Sequence, residues 1–362
     1  MDILIFILVI VALIVVHEFG HFVMAKWSGM RVDEFGIGFP PRAMVIGKIG
    51  ETEYTLNWLP LGGFVKIYGE DGGGEDSRAF SKRPRILQAL VLVAGIAMNL
   101  LFAYVLITGA LIAGTPRALS ESEVAGARNA ELAVANVLPG SPAALAGLVP
   151  GDSIMSAKDS MGEWRAVDPK SFSAFIAASG GNSVDLVVKH NGEEKTLTAT
   201  PAAGVAKSDP SRYALGVEVA TIGVVPLSFG AAVIEGANLT WEATKLTAIG
   251  LWHFFYGVFT LSADLSQVAG PVGIAGVVGA ASLQGFGSLF SIMAIISINL
   301  ALINLIPVPA LDGGRLLFVI IESVIRRPIK ASVAHTVNAI GFVFLILLML
   351  VVTAHDIFKI VG

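Results

Sequence analysis

Between Ile3 and Ala25 the only formal charge is Glu18. At helical rise those 23 residues span about 34 Å, enough to cross the hydrocarbon of a bilayer. The run is too long for the apolar part of a secretory signal, and Met1-Asp2 supplies no basic n-region, so the helix is expected to persist in the mature protein. Composition points the same way: 54% of residues are hydrophobic and 14% charged, against roughly 25% charged in soluble domains. A net charge of −4 gives no basis for nucleic-acid binding. The absence of cysteine removes disulfides, thiolate ligands and a cysteine nucleophile from consideration.

Further apolar runs complete a polytopic pattern. Ile86–Ala113 is an uncharged second span, in which Gly95 and Ala97 allow close helix approach and Asn99 can hydrogen-bond across it. From Leu265 to Leu311 no charge occurs, but Gly270-Pro271 and the glycines at 285 and 287 divide the stretch. A third span is expected near Ser288–Ile306 and a fourth near Ala334–Ala354. Residues 26–85 are mixed. Phe35–Pro41 is apolar yet broken by glycine and proline, and Tyr54–Ile67 is rich in β-formers around Pro60–Gly63, which predicts a short hairpin. The Gly-spaced loops lack a full G-x-G-x-x-G or a P-loop lysine, so a nucleotide site is rejected. Non-helical backbone at membrane depth needs protein or a watery cavity beside it, so this part is expected to be a re-entrant β element against the first helix.

Basic residues set the orientation. Lys and Arg crowd the loop 26–85 and the connection holding Arg315, Arg326, Arg327 and Lys330. Both are expected in the cytoplasm, with the termini and the segment after the second span outside. That segment turns soluble in composition at Thr115. Its run Gly140-Ser141-Pro142-Ala143, Ala146-Gly147-Leu148 and Pro150-Gly151-Asp152-Ser153-Ile154 resembles the core of bacterial PDZ domains, which implies a groove that takes an extended peptide by strand addition. A spacer or steric gate is an equal alternative. The expected division is residues 1–114 (membrane core, first part), 115–204 (PDZ-like), 205–284 (amphipathic, with Trp241, Trp252 and Tyr256 suited to an interface) and 285–362 (membrane core, second part). The fold class is thus a polytopic α-helical membrane protein of about four spans, with a re-entrant β element and an inserted extracytoplasmic PDZ-like α/β domain.

The chemistry sits in the first span. His17-Glu18-Phe19-Gly20-His21 places two imidazoles at i and i+4, on one helix face. They can share a zinc ion, and Glu18, adjacent but not a ligand, can take a proton from water. A carboxylate at membrane depth costs at least about 2.5–3.5 kcal/mol, so chance polarity is the weaker account. Catalytic zinc wants a third protein ligand. Asp312 follows Asn304-Leu305-Ile306-Pro307-Val308-Pro309-Ala310-Leu311 and precedes Gly313-Gly314, and it is the only carboxylate between Leu265 and Ile321. The prolines end the regular helix and the glycines permit close approach. Capping of the following helix is the competing role for this aspartate.

H-E-F-G-H in the first span, N-x-x-P-x-P-x-L-D-G-G in a later one and a PDZ-like insert together resemble the site-2 protease family (M50), closest to its bacterial RseP-type branch. The FGIGF loop, Pro60–Lys66, Ala269–Ile274 and Ser297–Leu300 extend the likeness over nearly the whole chain. It implies a zinc-dependent endopeptidase of the bacterial inner membrane that cleaves single-span membrane proteins in or near their transmembrane segment, commonly after another protease has acted. A single PDZ-like segment and the missing proline in Ala94–Asn99 depart from many relatives. Substrate is expected to be captured as a strand on a β edge near Gly36–Gly38 or Tyr54–Ile67. Asn299 and Asn304 could brace it, with inter-span packing as the rival role; the resemblance moves Asn304 toward substrate contact. Two other functions stay open at this point: a proteolytically silent PDZ scaffold, and a metal-dependent transporter, for which no repeated halves are visible.

Overall fold

A computed structural model describes residues 2–70, 74–190, 193–205, 209–260, 262 and 270–361. The chain forms two compact units, Met1–Ala113 with Ser228–Gly362, and Gly114–Leu227. In the first, α1 (Asp2–Trp27) is apolar on every face between Ile3 and Ala25 apart from the H-E-x-x-H residues, as expected of a helix without a water-facing side. Two long strands follow, β1 (Val32–Ile49) and β2 (Thr52–Ile67), then α2 (Arg85–Ala113).

The strands do not form the short hairpin expected within Tyr54–Ile67. The reversal lies at Gly50, with φ +62°, and both strands bend so that each pairs twice. Phe35 pairs with Val65 on one side and with Tyr54 on the other, while Val45 pairs with Thr55. The sheet therefore runs in the order 63–67, 32–37, 52–57, 42–49. Pro60–Gly63 is a passage across α1 and not a turn. A Cβ on Gly62 would stand 2.8 Å from Ile14 Cδ1, and one on Gly63 would stand 3.2 Å from Val15 Cγ2, so only glycine lets the strand lie this close to the helix. Phe22 packs on Phe35 at 5.3 Å between ring centroids, which joins the same helix to the inner strand.

The inserted unit holds β3 (Pro116–Ala118), α3 (Glu121–Val124), β4 (Arg128–Val137), α4 (Pro142–Leu145), β5 (Ser153–Lys158), β6 (Glu163–Trp164), α5 (Pro169–Ala178), β7 (Val184–His190), β8 (Glu193–Ala199) and β9 (Val217–Val224). Its sheet runs β3-β9-β4-β5-β7-β8, with β6 on β5. Leu132, Val134, Ile154, Leu186 and Val188 alternate into one buried face, closed by Phe172 and Ile176 of α5. The unit ends at Leu227 and not at 204, because β9 lies between β3 and β4 and the sheet is incomplete without it.

The first unit resumes with α6 (Phe229–Phe259), α7 (Pro271–Leu283), α8 (Phe286–Leu305), α9 (Asp312–Ile325) and α10 (Ala331–Val361). Among the described residues, four helices are long and apolar enough to cross a membrane: Ile3–Trp27, Arg85–Ala113, Phe286–Leu305 and Ser332–Phe358. They match the expected spans to within a few residues. Ala103 and Leu106 of α2 interlock with Ala294 and Ile298 of α8, and Val278 of α7 packs on Val9 and Leu13 of α1. The N-terminus of α7 is held from α10, where the buried Asp356 accepts a hydrogen bond from the Gly273 N–H at 2.8 Å.

Candidate metal centre

Three elements converge on the H-E-x-x-H face of α1. Gly20 abuts the Ala94 carbonyl of α2, so the two helices touch backbone to backbone. The next residue of α2, Gly95, leaves the space that the imidazoles fill. A Cβ there would stand 2.5 Å from His21 Nε2 and 2.9 Å from His17 Cε1. The third element arrives at the start of α9. After α8 ends at Leu305 the chain turns through Ala310, whose φ is +76°, and Gly313 packs onto the Leu305 carbonyl at a distance no side chain would allow.

This turn carries Asp312 to the histidines. His17 Nε2 lies 2.8 Å from Asp312 Oδ2, His21 Nε2 lies 3.1 Å from the same oxygen, and the two Nε2 atoms are 3.1 Å apart. Asp312 is the first residue of α9, and its N-cap is Leu311, with no side-chain cap bond. The carboxylate is aimed at the imidazoles and not at the helix N-terminus, so it makes no cap. Both histidines are buried.

The donor set suits zinc: two imidazole nitrogens and one carboxylate oxygen. Ligands of a tetrahedral zinc with bonds of ~2.0–2.1 Å stand roughly 3.3 Å apart, so the triad opens by only a few tenths of an ångström to hold one. The cradle at Gly95 is a second fit, since any side chain there would displace the rings. His21 Nδ1 donates to the Val91 carbonyl at 2.8 Å, which leaves Nε2 its lone pair. On the other side of His17, Asn99 Nδ2 stands 3.1 Å from Nδ1.

Beside the triad lies a cavity of about 650 Å³, bounded by Glu18, His21, Asp312, the end of β2 and an ion pair between Arg315 and Glu70. Glu18 Oε2 accepts a hydrogen bond from the Val65 N–H at 3.1 Å, so the carboxylate next to the triad also touches the outer edge of the sheet. That edge is residues 63–67, paired on one side only among the described residues.

The residues proposed to contact substrate are placed differently. Gly36 pairs with both Phe64 and Thr55 and so belongs to an inner strand with no free edge. Gly38, with φ +83°, has its carbonyl taken by Asn57 Nδ2 at 2.9 Å. Capture on a β edge at Gly36–Gly38 is therefore ruled out by the pairing, and the role of these glycines is to let the sheet bend. Asn299 donates to Ile295 O one turn back in its own helix, and neither it nor Asn304 lines the cavity. Conversely, Asn99 and the Arg315–Glu70 pair belong to the site's surroundings. The sequence signal for Asn99 was an amide in the middle of an uncharged span, and for Arg315 its place one turn after Asp312.

A family model described as peptidase family M50 matches residues 5–348. Among similar proteins, one of Clostridium perfringens is 35% identical over 96% of this chain and 95% of its own length. One of Nostoc is 33% identical over 96% and 93%, and one of Clostridium acetobutylicum is 32% identical over 98% and 97%. All three bear the name "putative zinc metalloprotease".

Proposed function

The chain belongs to peptidase family M50 and is a zinc metalloendopeptidase with several membrane-spanning helices; on that premise we propose that His17, His21 and Asp312 hold the zinc and that Glu18 is the general base. The observation that carries this reading is the meeting of three donor atoms from two helices 291–295 residues apart in sequence, beside a carboxylate that is not one of them. Bound zinc supplies Lewis acidity to a peptide carbonyl and acidifies an attacking water. Glu18 takes the proton from that water and delivers it to the departing amine, so that one carboxylate serves both halves of the hydrolysis. Gly95 and Val91 keep the rings in place, and the cavity admits water to a site otherwise walled by apolar side chains.

Our reading of the substrate is a single-span membrane protein, cut in or near its transmembrane segment at the cytoplasmic side of a bacterial inner membrane. A helical segment hides its carbonyls, so it must be unwound before attack. The 63–67 edge, bordering the cavity and touching Glu18, supports capture of the unwound segment as an added strand. For Asn304 and Asn299 the support is the family resemblance alone. The outer strand exposes Met44, Val45, Ile46 and Ile49, which favours a re-entrant position in lipid. In the inserted unit, a groove of about 440 Å³ between Phe172, Ser173 and Ile176 of α5 and residues 215–219 supports a PDZ-like peptide site, with regulated proteolysis as the context.

The test uses purified full-length protein with a single-span membrane protein in detergent. Glu18→Gln is expected to retain zinc and to lose cleavage by about 10²–10⁴-fold, the usual worth of a general base. Equal cleavage by wild type and variant would remove Glu18 from the role. A wild type that binds zinc yet cleaves no membrane substrate would favour the silent scaffold.

A further inference from the structure

We propose that Asn99 is a positioning residue of the metal centre, whose side-chain amide orients His17 through Nδ1. The proposal rests on the zinc reading above. It starts from an asymmetry between two histidines that look equivalent in sequence. His21 Nδ1 faces a backbone carbonyl, Val91 O, at 2.8 Å. A carbonyl only accepts, so Nδ1 is the donor there and Nε2 is the nitrogen turned toward the triad. His17 Nδ1 faces a side-chain amide instead, with Asn99 Nδ2 at 3.1 Å.

An amide NH₂ only donates. The carbonyl end of the same amide only accepts, and the two ends are close enough in shape to exchange within one packing. A His17 that ligates through Nε2 carries its ring proton on Nδ1, which then needs an acceptor. Asn99 carries one: its Oδ1 is buried and has no hydrogen-bond partner.

The surroundings fit such a role. Asn99 has no exposed surface, and its backbone carbonyl accepts from Ser297 Oγ at 2.8 Å, which ties this turn of α2 to α8. Val91, Gly95 and Asn99 are spaced four apart, so a single face of α2 orients His21, clears space for both rings and orients His17 in turn. Asparagine is the side chain that serves both tautomers. Aspartate can serve only the metal-binding one, and leucine serves neither.

The experiment measures zinc affinity of the full-length protein in detergent by competition with a chromophoric chelator, together with the visible spectrum of the cobalt-loaded form. Asn99→Leu is expected to bind zinc about 10–100-fold more weakly, the usual cost of losing an outer-shell partner, with a shifted cobalt spectrum. Asn99→Asp, which fixes the proton on Nδ1, is expected to bind at least as tightly as wild type, and Ser297→Ala to leave the affinity unchanged. Wild-type affinity in Asn99→Leu overturns the proposal. So does a loss in Ser297→Ala equal to that in Asn99→Leu, which would assign the effect to helix packing. If Asn99→Leu does not fold, Asn99→Asp decides alone: weakening of tenfold or more overturns it. Failure of the wild type to bind zinc would instead strike the reading of the centre itself.

Discussion

The two units use polar side chains in opposite ways. In the inserted unit several of them act locally, at helix N-termini. Asp168 caps α5 by accepting from the Lys170 and Ser171 N–H groups, Ser120 and Glu123 form a capping box on α3, and each such contact spans only a few residues. In the unit bearing the membrane helices, the polar groups near the centre of the packing are few and distant in sequence: His17, Glu18 and His21, Asn99, Ser297 and Asp312. A polar group without water near it is costly unless paired, and His17, His21, Asn99 and Asp312 are paired with one another. One unit uses polarity to cap its helices, the other to build the candidate centre.

The sharpest way to break that comparison is to damage the ordinary core. Leu186 is fully buried in the sheet of the inserted unit. Leu186→Ala is expected to destabilise that unit by about 2–5 kcal/mol, visible as an earlier denaturant or thermal transition of the full chain, while zinc content stays at the wild-type level. Loss of zinc together with the transition would mean that the two units are not separate in function.

The converse substitution is a single methyl group in the other unit. Gly95→Ala places a Cβ at 2.5 Å from His21 Nε2, so the rings must move by a large fraction of an ångström. A displacement of that order is expected to reduce cleavage about 10²-fold, with weaker zinc binding and an unchanged transition of the inserted unit. Activity near wild type would show that the cradle yields easily, and the centre would then be less tightly defined than its packing indicates.

Much of the candidate centre was legible because its spacing is chemical. His17 and His21 are one helical turn apart, Asp312 is the only acid in a long uncharged stretch, and prolines and glycines beside it announce a sharp turn. The spans were legible for the same reason: an absence of charge over twenty residues has few structural meanings. The β element was misread because glycine has two uses. Gly62 and Gly63 resemble a turn, yet they serve close passage over Ile14 and Val15, while the real reversal is at Gly50. Of the two candidate edges for substrate, Gly36–Gly38 proves to be an inner strand, while Tyr54–Ile67 contains the outermost residues on that side, 63–67. The end of the inserted unit escaped for a different reason. The pairing of β9 with β3 and β4 bridges up to about a hundred residues, and no local pattern encodes it. Contacts made by backbone atoms, such as Val91 O on His21 and Val65 N–H on Glu18, leave no trace in residue type at all.

The smallest effect tests whether polarity in the inserted unit is as local as it looks. The Arg117 guanidinium and the Ser120 N–H and hydroxyl hold the Glu123 carboxyl well below its usual range, at about 2. A carboxylate whose folded value is depressed binds fewer protons than it does in the unfolded chain. Its contribution is therefore complete above the ordinary carboxylate value of 4.5 and disappears as pH falls toward about 2. Because the group is partly open to solvent, salt screens much of the interaction and the net gain is modest. Hydrogen exchange is the suitable measurement: amides of α3 and β3 are expected to lose protection between pH 4.5 and 2 while those of the β5–β7 pair, which lack this carboxylate, hold theirs. Glu123→Gln should remove the difference between the two groups of amides. If both groups lose protection together in wild type, acid acts on the sheet as a whole, and the capping contacts of this unit are coupled over long range like the cluster around His17.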